Sequence, residues 1–252
     1  MKTLSFPILA LLAIFSVSSC QQKPGGDTAE VGAAQEVDEL SAQAVNYPLD
    51  TEASELTWYG FKPTGRHNGT IGIQDGKLAV EGGTIVGGSF TIDMNAIDVL
   101  DLEGEDKQKL TGHLQSPDFF AVEEYPNAKF EITEVVPFAE ATMEADTSRL
   151  DVVVNDEAVD EYKIENPTHA ITGNLTMRDT TLSIMFPAKV SMSGDQIMAQ
   201  AKFNIDRTKW KVAYGDENDL EARAKDKFIY NTVNVGFDIK ANKEPEATAS
   251  AL

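Results

Sequence analysis

The chain is read as an all-β domain, either a two-sheet sandwich or a closed barrel, on three observations. Apolar residues recur at every second position through most of its body, turn residues interrupt these runs at short intervals, and a single stretch carries helical spacing. In chain order, Leu56, Trp58 and Gly60 share one face of an opening strand, against Thr57, Tyr59 and Phe61. Asp75-Gly76, between Ile71-Gly72-Ile73 and Leu78-Ala79-Val80, has the chemistry of a two-residue hairpin turn. Gly82-Gly83 and Gly87-Gly88 interrupt apolar stretches, as bulges or tight bends in a curved sheet do. Phe90, Ile92 and Met94 then alternate with Ser89, Thr91, Asp93 and Asn95. Leu110, His113 and Leu114 form a one-sided stripe that predicts a helix over Glu105–Gln115, limited by Pro117. Phe130 and Ile132 alternate with Lys129, Glu131 and Thr133, and Ile171, Gly173, Leu175 and Met177 share a face opposite Thr172, Asn174 and Thr176. Arg178-Asp179 turns the chain into the longest stripe, Leu182, Ile184, Phe186, Ala188 and Val190. Ile197, Ala199, Ala201, Phe203 and Ile205 follow. Ile229, Val233, Val235, Phe237 and Ile239 close the series, with Asn231 as a polar exception. A sandwich fills its middle with its own side chains, whereas an eight-strand barrel can hold one small ligand. Periodicity alone does not separate the two.

Residues 1–19 have the order of a secretory signal: Lys2, an apolar run from Leu4 to Phe15, and small residues up to Ser19. Val17-Ser18-Ser19-Cys20 is similar to a bacterial lipobox, which makes Cys20 the lipidated first residue of the mature chain. Residues 20–46 are acidic and lack a periodic apolar face, so they read as a disordered tether. Residues 241–252 have the same character and read as a disordered tail, which leaves 47–240 as the folded domain.

The 252 residues carry 21 basic and 41 acidic side chains, a formal net charge of −20, which excludes the basic field on which nucleic-acid binding draws. A lone cysteine excludes both an internal disulfide and a cysteine-rich zinc cluster. His67, His113 and His169 are dispersed with no ligand spacing, no Gly-x-Ser-x-Gly occurs, and the glycine pairs match neither phosphate-loop nor dinucleotide spacing. No residue is therefore singled out as catalytic or metal-binding. Asp206-Arg207-Thr208-Lys209-Trp210 combines scarce cations with a large aromatic. It suits either a headgroup site or a turn in which Asp206 and Arg207 pair while Trp210 plugs a barrel end; the second is the reading adopted. Phe119, Phe120 and Tyr125 are expected to pack the helix and its loop against the barrel.

Several ordered segments carry a family resemblance. His113-Leu114-Gln115-Ser116-Pro117-Asp118-Phe119-Phe120 runs on to Tyr125-Pro126 and Ala128-Lys129-Phe130. Ile171-Thr172-Gly173-Asn174-Leu175-Thr176-Met177 and Phe203-Asn204-Ile205-Asp206-Arg207-Thr208-Lys209-Trp210 come later, after an opening at Leu49-Asp50 and Leu56-Thr57-Trp58. Together they resemble the YceI-like family of secreted and periplasmic bacterial proteins. The resemblance implies an extended lipocalin-like antiparallel barrel of about eight strands, with one short helix beside it and an apolar interior for polyprenyl or quinone-type lipids. The chain departs from the family in a long acidic segment between Val135 and His169, read as a hairpin around Leu150, Val152 and Val154 or a lid over one mouth. It departs again at Arg178-Asp179, where the family tends to place a glycine.

The expectation is a non-enzymatic lipid-binding lipoprotein of the bacterial envelope, on the outer membrane, held there through Cys20 and needing no cofactor beyond its bound isoprenoid. The lipid would lie among Phe90, Ile92, Met94, Phe130, Ile132, Leu175, Ile184, Phe186, Phe203, Val233, Val235 and Phe237. The alternative is an interaction lipoprotein with a self-filled barrel and acidic partner-binding loops. An edge strand is available to pair two copies as a homodimer.

Overall fold

The computed structural model describes residues 25–141, 161–225 and 227–244. Ten strands follow the chain as β1 (Glu30–Ala33), β2 (Val45–Pro48), β3 (Glu55–Lys62), β4 (Gly65–Glu81), β5 (Thr84–Val99), β6 (Asn127–Pro137), β7 (His169–Met177), β8 (Thr180–Ser193), β9 (Gln196–Asp206) and β10 (Thr232–Asn242). Helix α1 (Gly104–Gln115) links β5 to β6, and a short helix α2 (Leu220–Ala224) lies between β9 and β10. Strands β3 to β10 pair antiparallel with their chain neighbours, and β10 returns to β3 and shuts the ring. The fold is thus the closed eight-strand barrel and not the sandwich, with β1 and β2 as additions. Closure satisfies the long edges internally, and β1 and β2 are four-residue strands.

Two turn assignments change. Asp75-Gly76 makes no hairpin: β4 runs unbroken for 17 residues, and its register against β5 shifts between Ile73 and Asp75. The bulge bends a strand too long to stay straight around a barrel. Gly76 serves close approach instead, because a Cβ there would lie 2.9 Å from the Phe90 ring and from the Ser89 carbonyl. The hairpin falls at Gly82-Gly83, whose φ values of +60° and +84° suit a two-residue turn with positive φ at both positions. Arg178-Asp179 turns the chain as expected, with φ of +45° and +55° on two non-glycine residues.

The tether reading is corrected over its described part. Asn204 Nδ2 donates to the Gly25 carbonyl at 2.9 Å, Thr28 bridges to Asn204, β1 pairs with Leu182–Met185 of β8, and Asn174 exchanges two hydrogen bonds with the Gln35 backbone. Residues 25–35 therefore form a strap laid across β9, β8 and β7. The physical cause is a seam. β8 pairs with β9 only over Ala188–Ser193, so its preceding half offers free backbone groups where β9 has turned away, and β1 takes them. β2 pairs in the same way with Lys77–Val80 of β4. At the other terminus, β10 continues to Asn242 with Ala241 fully buried, two residues beyond the expected domain end. Residues 1–24, with the signal and Cys20, lie outside the described residues, as do the Leu150–Val154 hairpin and residues 245–252.

Helix α1 lies where the stripe placed it. Glu105 and Asp106 in its first turn suit the helix dipole. Leu110 and Leu114 pack with Met94, Ile97 and Val99 of β5. This seats the helix over one end of the barrel, beside the β7–β8 turn and the β9–β10 connection.

Candidate functional site

The inward stripes of the strands surround a wholly apolar cavity. Its floor is aromatic. Phe90 and Phe130 stack at 6.2 Å between centroids, Phe130 meets Phe186 at 5.7 Å, and Phe186 stacks on Phe203 at 4.2 Å with planes 8° apart. Phe237 closes edge-on against Phe186 at 5.5 Å. The Phe130 ring lies across Gly173, where a Cβ would come within 2.4 Å of it, so the glycine is what lets the ring lie flat. Towards α1 the walls are Ile92, Met94, Ala128, Leu175, Met177, Ile184, Ile205, Val233 and Val235. The end under α1 is lined by Leu114, Phe119 and Phe120 from the helix and its loop, and by Val212 and Ile229 from the β9–β10 connection.

Eleven of the twelve residues named for the lipid line this space. Ile132 does not. It points inward and is buried, but it sits beyond the phenylalanine floor, packed with residues such as Leu78, Ile171 and Ile197. Phe119 and Phe120, read as packing residues, are part of the cavity wall as well as of the helix packing; Tyr125 lies outside the cavity, its hydroxyl donating to Glu124 at 2.8 Å. Trp58 and Ile71 also line it and were not named. Their inward stripe on β3 and β4 was the available signal.

The motif Asp206–Trp210 is structural, though not by an Asp206–Arg207 pair. Asp206 Oδ1 accepts from the Thr208 backbone N–H at 3.0 Å and hydroxyl at 2.6 Å, capping the single helical turn Arg207–Trp210. Arg207 is 5 % exposed and gives its donors to backbone carbonyls: Val212 at 2.6 Å, Ile229 at 3.1 Å and Tyr230 at 3.2 Å. Such carbonyls are the natural partners of a fork with five donors, and they bind the β9–β10 connection to the barrel rim. Burial pulls the guanidinium below its ordinary value, against the opposing attraction of Asp216, Asp206 and Glu217. Trp210 is fully buried and its Nε1 donates to the Leu175 carbonyl at 3.0 Å, which wedges that end as expected. Arg178 braces the same end, its Nη1 donating to the carbonyls of Phe119 and Lys211.

The histidines lie apart. His67 shares a 2.7 Å contact with Asp101, His113 sits edge-on to Phe119 and Tyr214, and His169 meets Thr168. Asp101 is held below its ordinary carboxylate value: burial opposes this, but the Asn68 N–H and the His67 ring outweigh it. Among the described residues no three His, Cys, Asp or Glu side chains gather as a metal site.

The family model for the YceI-like domain matches residues 47–241, and the chain belongs to that family. Among solved structures, BcnA of Burkholderia cenocepacia aligns over 77 % of this chain and 99 % of its own, at 16 % identity and a TM-score of 0.54. A polyisoprenoid-binding domain from Saccharophagus degradans, implicated in plant cell wall breakdown, aligns over 79 % and 99 %, at 17 % identity and a TM-score of 0.53. No curated protein sequence matches the chain. At these identities the structures establish the shared barrel.

Proposed function

We propose that this protein is a non-enzymatic binder of a long-chain isoprenoid or quinone-type lipid, carried or stored at the bacterial envelope and anchored there through Cys20. The observation that carries the reading is the cavity: a wall of aliphatic side chains over an aromatic floor. Each CH₂ moved from water into such a lining gains about 0.8 kcal/mol, so a prenyl chain is retained with little polar help. The polyisoprenoid-binding description of the Saccharophagus domain supports the same ligand class. The self-filled alternative suits the half of the barrel beyond the phenylalanine floor, but not the half above it.

Purification from native membranes, solvent extraction and mass spectrometry of the extract test the proposal. A stoichiometric isoprenoid is the expected result, and repeated recovery of lipid-free protein together with no uptake of an apolar fluorophore would refute it. The anchor has its own test: Cys20→Ser should move the protein from the membrane to the soluble fraction, without changing ligand uptake.

A further inference from the structure

The N-terminal strap begins at one point on the barrel. Asn204 Nδ2 donates to the Gly25 and Gly26 carbonyls at 2.9 and 3.2 Å, and the Asn204 N–H donates to the Asp27 carbonyl at 2.7 Å. Asn204 lies two residues before the end of β9 at the α1 rim, and eight residues after its start at the other end. Gly26 also abuts Tyr162, which packs with Phe61, Phe228 and Tyr230, so the strap starts beside the β9–β10 connection. Cys20 is five residues from Gly25, and an extended chain spans at most about 3.6 Å per residue, which limits its reach to about 18 Å. The far end of β9 is about 26 Å from Asn204 along the strand, or about 20 Å along the barrel axis after a tilt of about 40°. A barrel standing on that end would hold Gly25 too high for Cys20 to enter a bilayer.

The surface within reach differs from the rest of the chain. Residues 207–231 carry six basic and five acidic side chains, in a chain of net charge −20. Lys209, Lys211, Arg223, Lys225 and Lys227 among them are exposed. Tyr214 and Leu220 of the same connection are 46 % and 82 % exposed. Cations beside exposed apolar and aromatic side chains are what an interfacial segment offers to phospholipid headgroups. Met192 and Met198, also exposed, flank the β8–β9 turn at the end out of reach. We infer that the β9–β10 connection is the face that rests on the phospholipid bilayer holding the Cys20 acyl chains. This rests on the lipoprotein reading of Cys20. Val212 and Ile229 of the connection line the cavity, so the hollow half of the barrel is set against the bilayer and the packed half points away from it.

The test reconstitutes the full lipidated chain into vesicles of phosphatidylethanolamine and phosphatidylglycerol that contain a headgroup-level doxyl phospholipid. Acylation consumes the Cys20 thiol, so Ala224→Cys and Ser193→Cys each introduce one free thiol for a bimane label, at exposed positions on the two ends. The doxyl lipid should quench the label at position 224 at least about twofold more than the label at 193. Hydrogen exchange of the wild-type chain gives a readout that depends on neither variant. Amides of residues 213–225 should slow about twofold or more on vesicles relative to Cys20→Ser in solution, while those of the β8–β9 turn stay unchanged. Equal quenching, stronger quenching at 193, or no slowing over 213–225 in anchored protein overturns the inference and leaves the anchor standing. A chain that carries no acyl mass on Cys20 and stays out of the vesicles overturns the anchor itself, and the inference with it.

Discussion

The two halves of the barrel are built from the same alternating pattern and come out differently. Beyond the phenylalanine floor, inward residues such as Leu78, Ile197, Ala201 and Ala241 are 0–2 % exposed and form solid core. On the α1 side, Ile92, Val233 and Val235 are also inward but only half-buried, because they face open space. Side-chain size accounts for part of the contrast. The packed half carries Ala188, Ala199, Ala201 and Ala241 with Gly88 beneath Leu78 and Ile132, and this mix of small and large residues interlocks across the barrel. The other half is held apart at its rim by α1, by the buried Trp210 wedge and by the Arg207 and Arg178 braces. A stripe of apolar residues therefore defines a wall; what the wall surrounds depends on what sits at its ends.

Phe186→Ala strikes the boundary between the halves and should have the largest effect. It removes a ring packed against three other phenylalanines, so urea denaturation should report a loss of about 3–5 kcal/mol. The enlarged cavity should also favour longer prenyl chains, and a loss below about 1 kcal/mol would show that the floor is not packed. Ile197→Ala, within the solid half, should cost about 2–5 kcal/mol. Its counterpart Val235→Ala, beside the void, should cost less than about 1 kcal/mol, because little new unfilled space is made; similar losses for the two would erase the distinction.

Val235→Phe fills space instead of creating it. Overpacking a dense core costs about 1–3 kcal/mol, whereas this change should leave the urea midpoint nearly unmoved and reduce fluorophore capacity. The smallest effect concerns acid. Asp216, in the β9–β10 connection, accepts from the Asn218 N–H and the Asn231 side chain, and these bonds hold its carboxyl below the ordinary value. Because the folded-state value is depressed, the stability it contributes is complete above about pH 4 and is lost as pH falls through the depressed value. Hydrogen exchange should accordingly rise at the α1 end before the packed half as pH drops below about 4. Asp216→Asn should remove that difference.

A second contrast separates the inner and outer faces of β9 and β10. Asn204 and Asn234, on the outward stripe, are 0–1 % exposed, more deeply buried than the inward Val233 and Val235. Asn234 Nδ2 donates to Asn204 Oδ1 at 2.9 Å and to the Tyr162 carbonyl at 3.1 Å, while Asn204 holds Gly25. Tyr162 itself packs edge-on against Tyr59 and Phe61 on the outside of β3. The N-terminal strap and the end of the acidic segment thus cover this part of the barrel with hydrogen-bonded backbone. The buried asparagines are satisfied there because each meets backbone carbonyl or amide groups.

Much of the molecule is legible in its sequence. The alternation at Phe90-Ile92-Met94, at Ile184-Phe186 and at Val233-Val235-Phe237 placed those side chains inside, since a strand sends successive residues to opposite faces. Helix α1 followed from Leu110, His113 and Leu114 with the same directness. Asp75-Gly76 misled because a glycine needed for a bulge and for the nearby Phe90 ring has the same letter as one needed for a turn. Phe119 and Phe120 were placed by the structure in a second role, since a loop's aromatic residues reveal nothing of the space they face until the loop is set against a barrel.

What the amino-acid order determined alone is local: which residues alternate, where a helix is possible, which charges are available, and hence an inward apolar face on each strand. What only the folded chain decided is long-range. The pairing of β10 with β3, the strap drawn from Glu30–Ala33 into the gap beside β8, and the floor made by phenylalanines from five strands bring together residues far apart in sequence. No periodicity encodes such meetings, because they depend on how strands tilt and stagger in closing a ring. That closure makes an interior out of the inward faces, and the residues brought to each end of it decide which part is hollow and which is core.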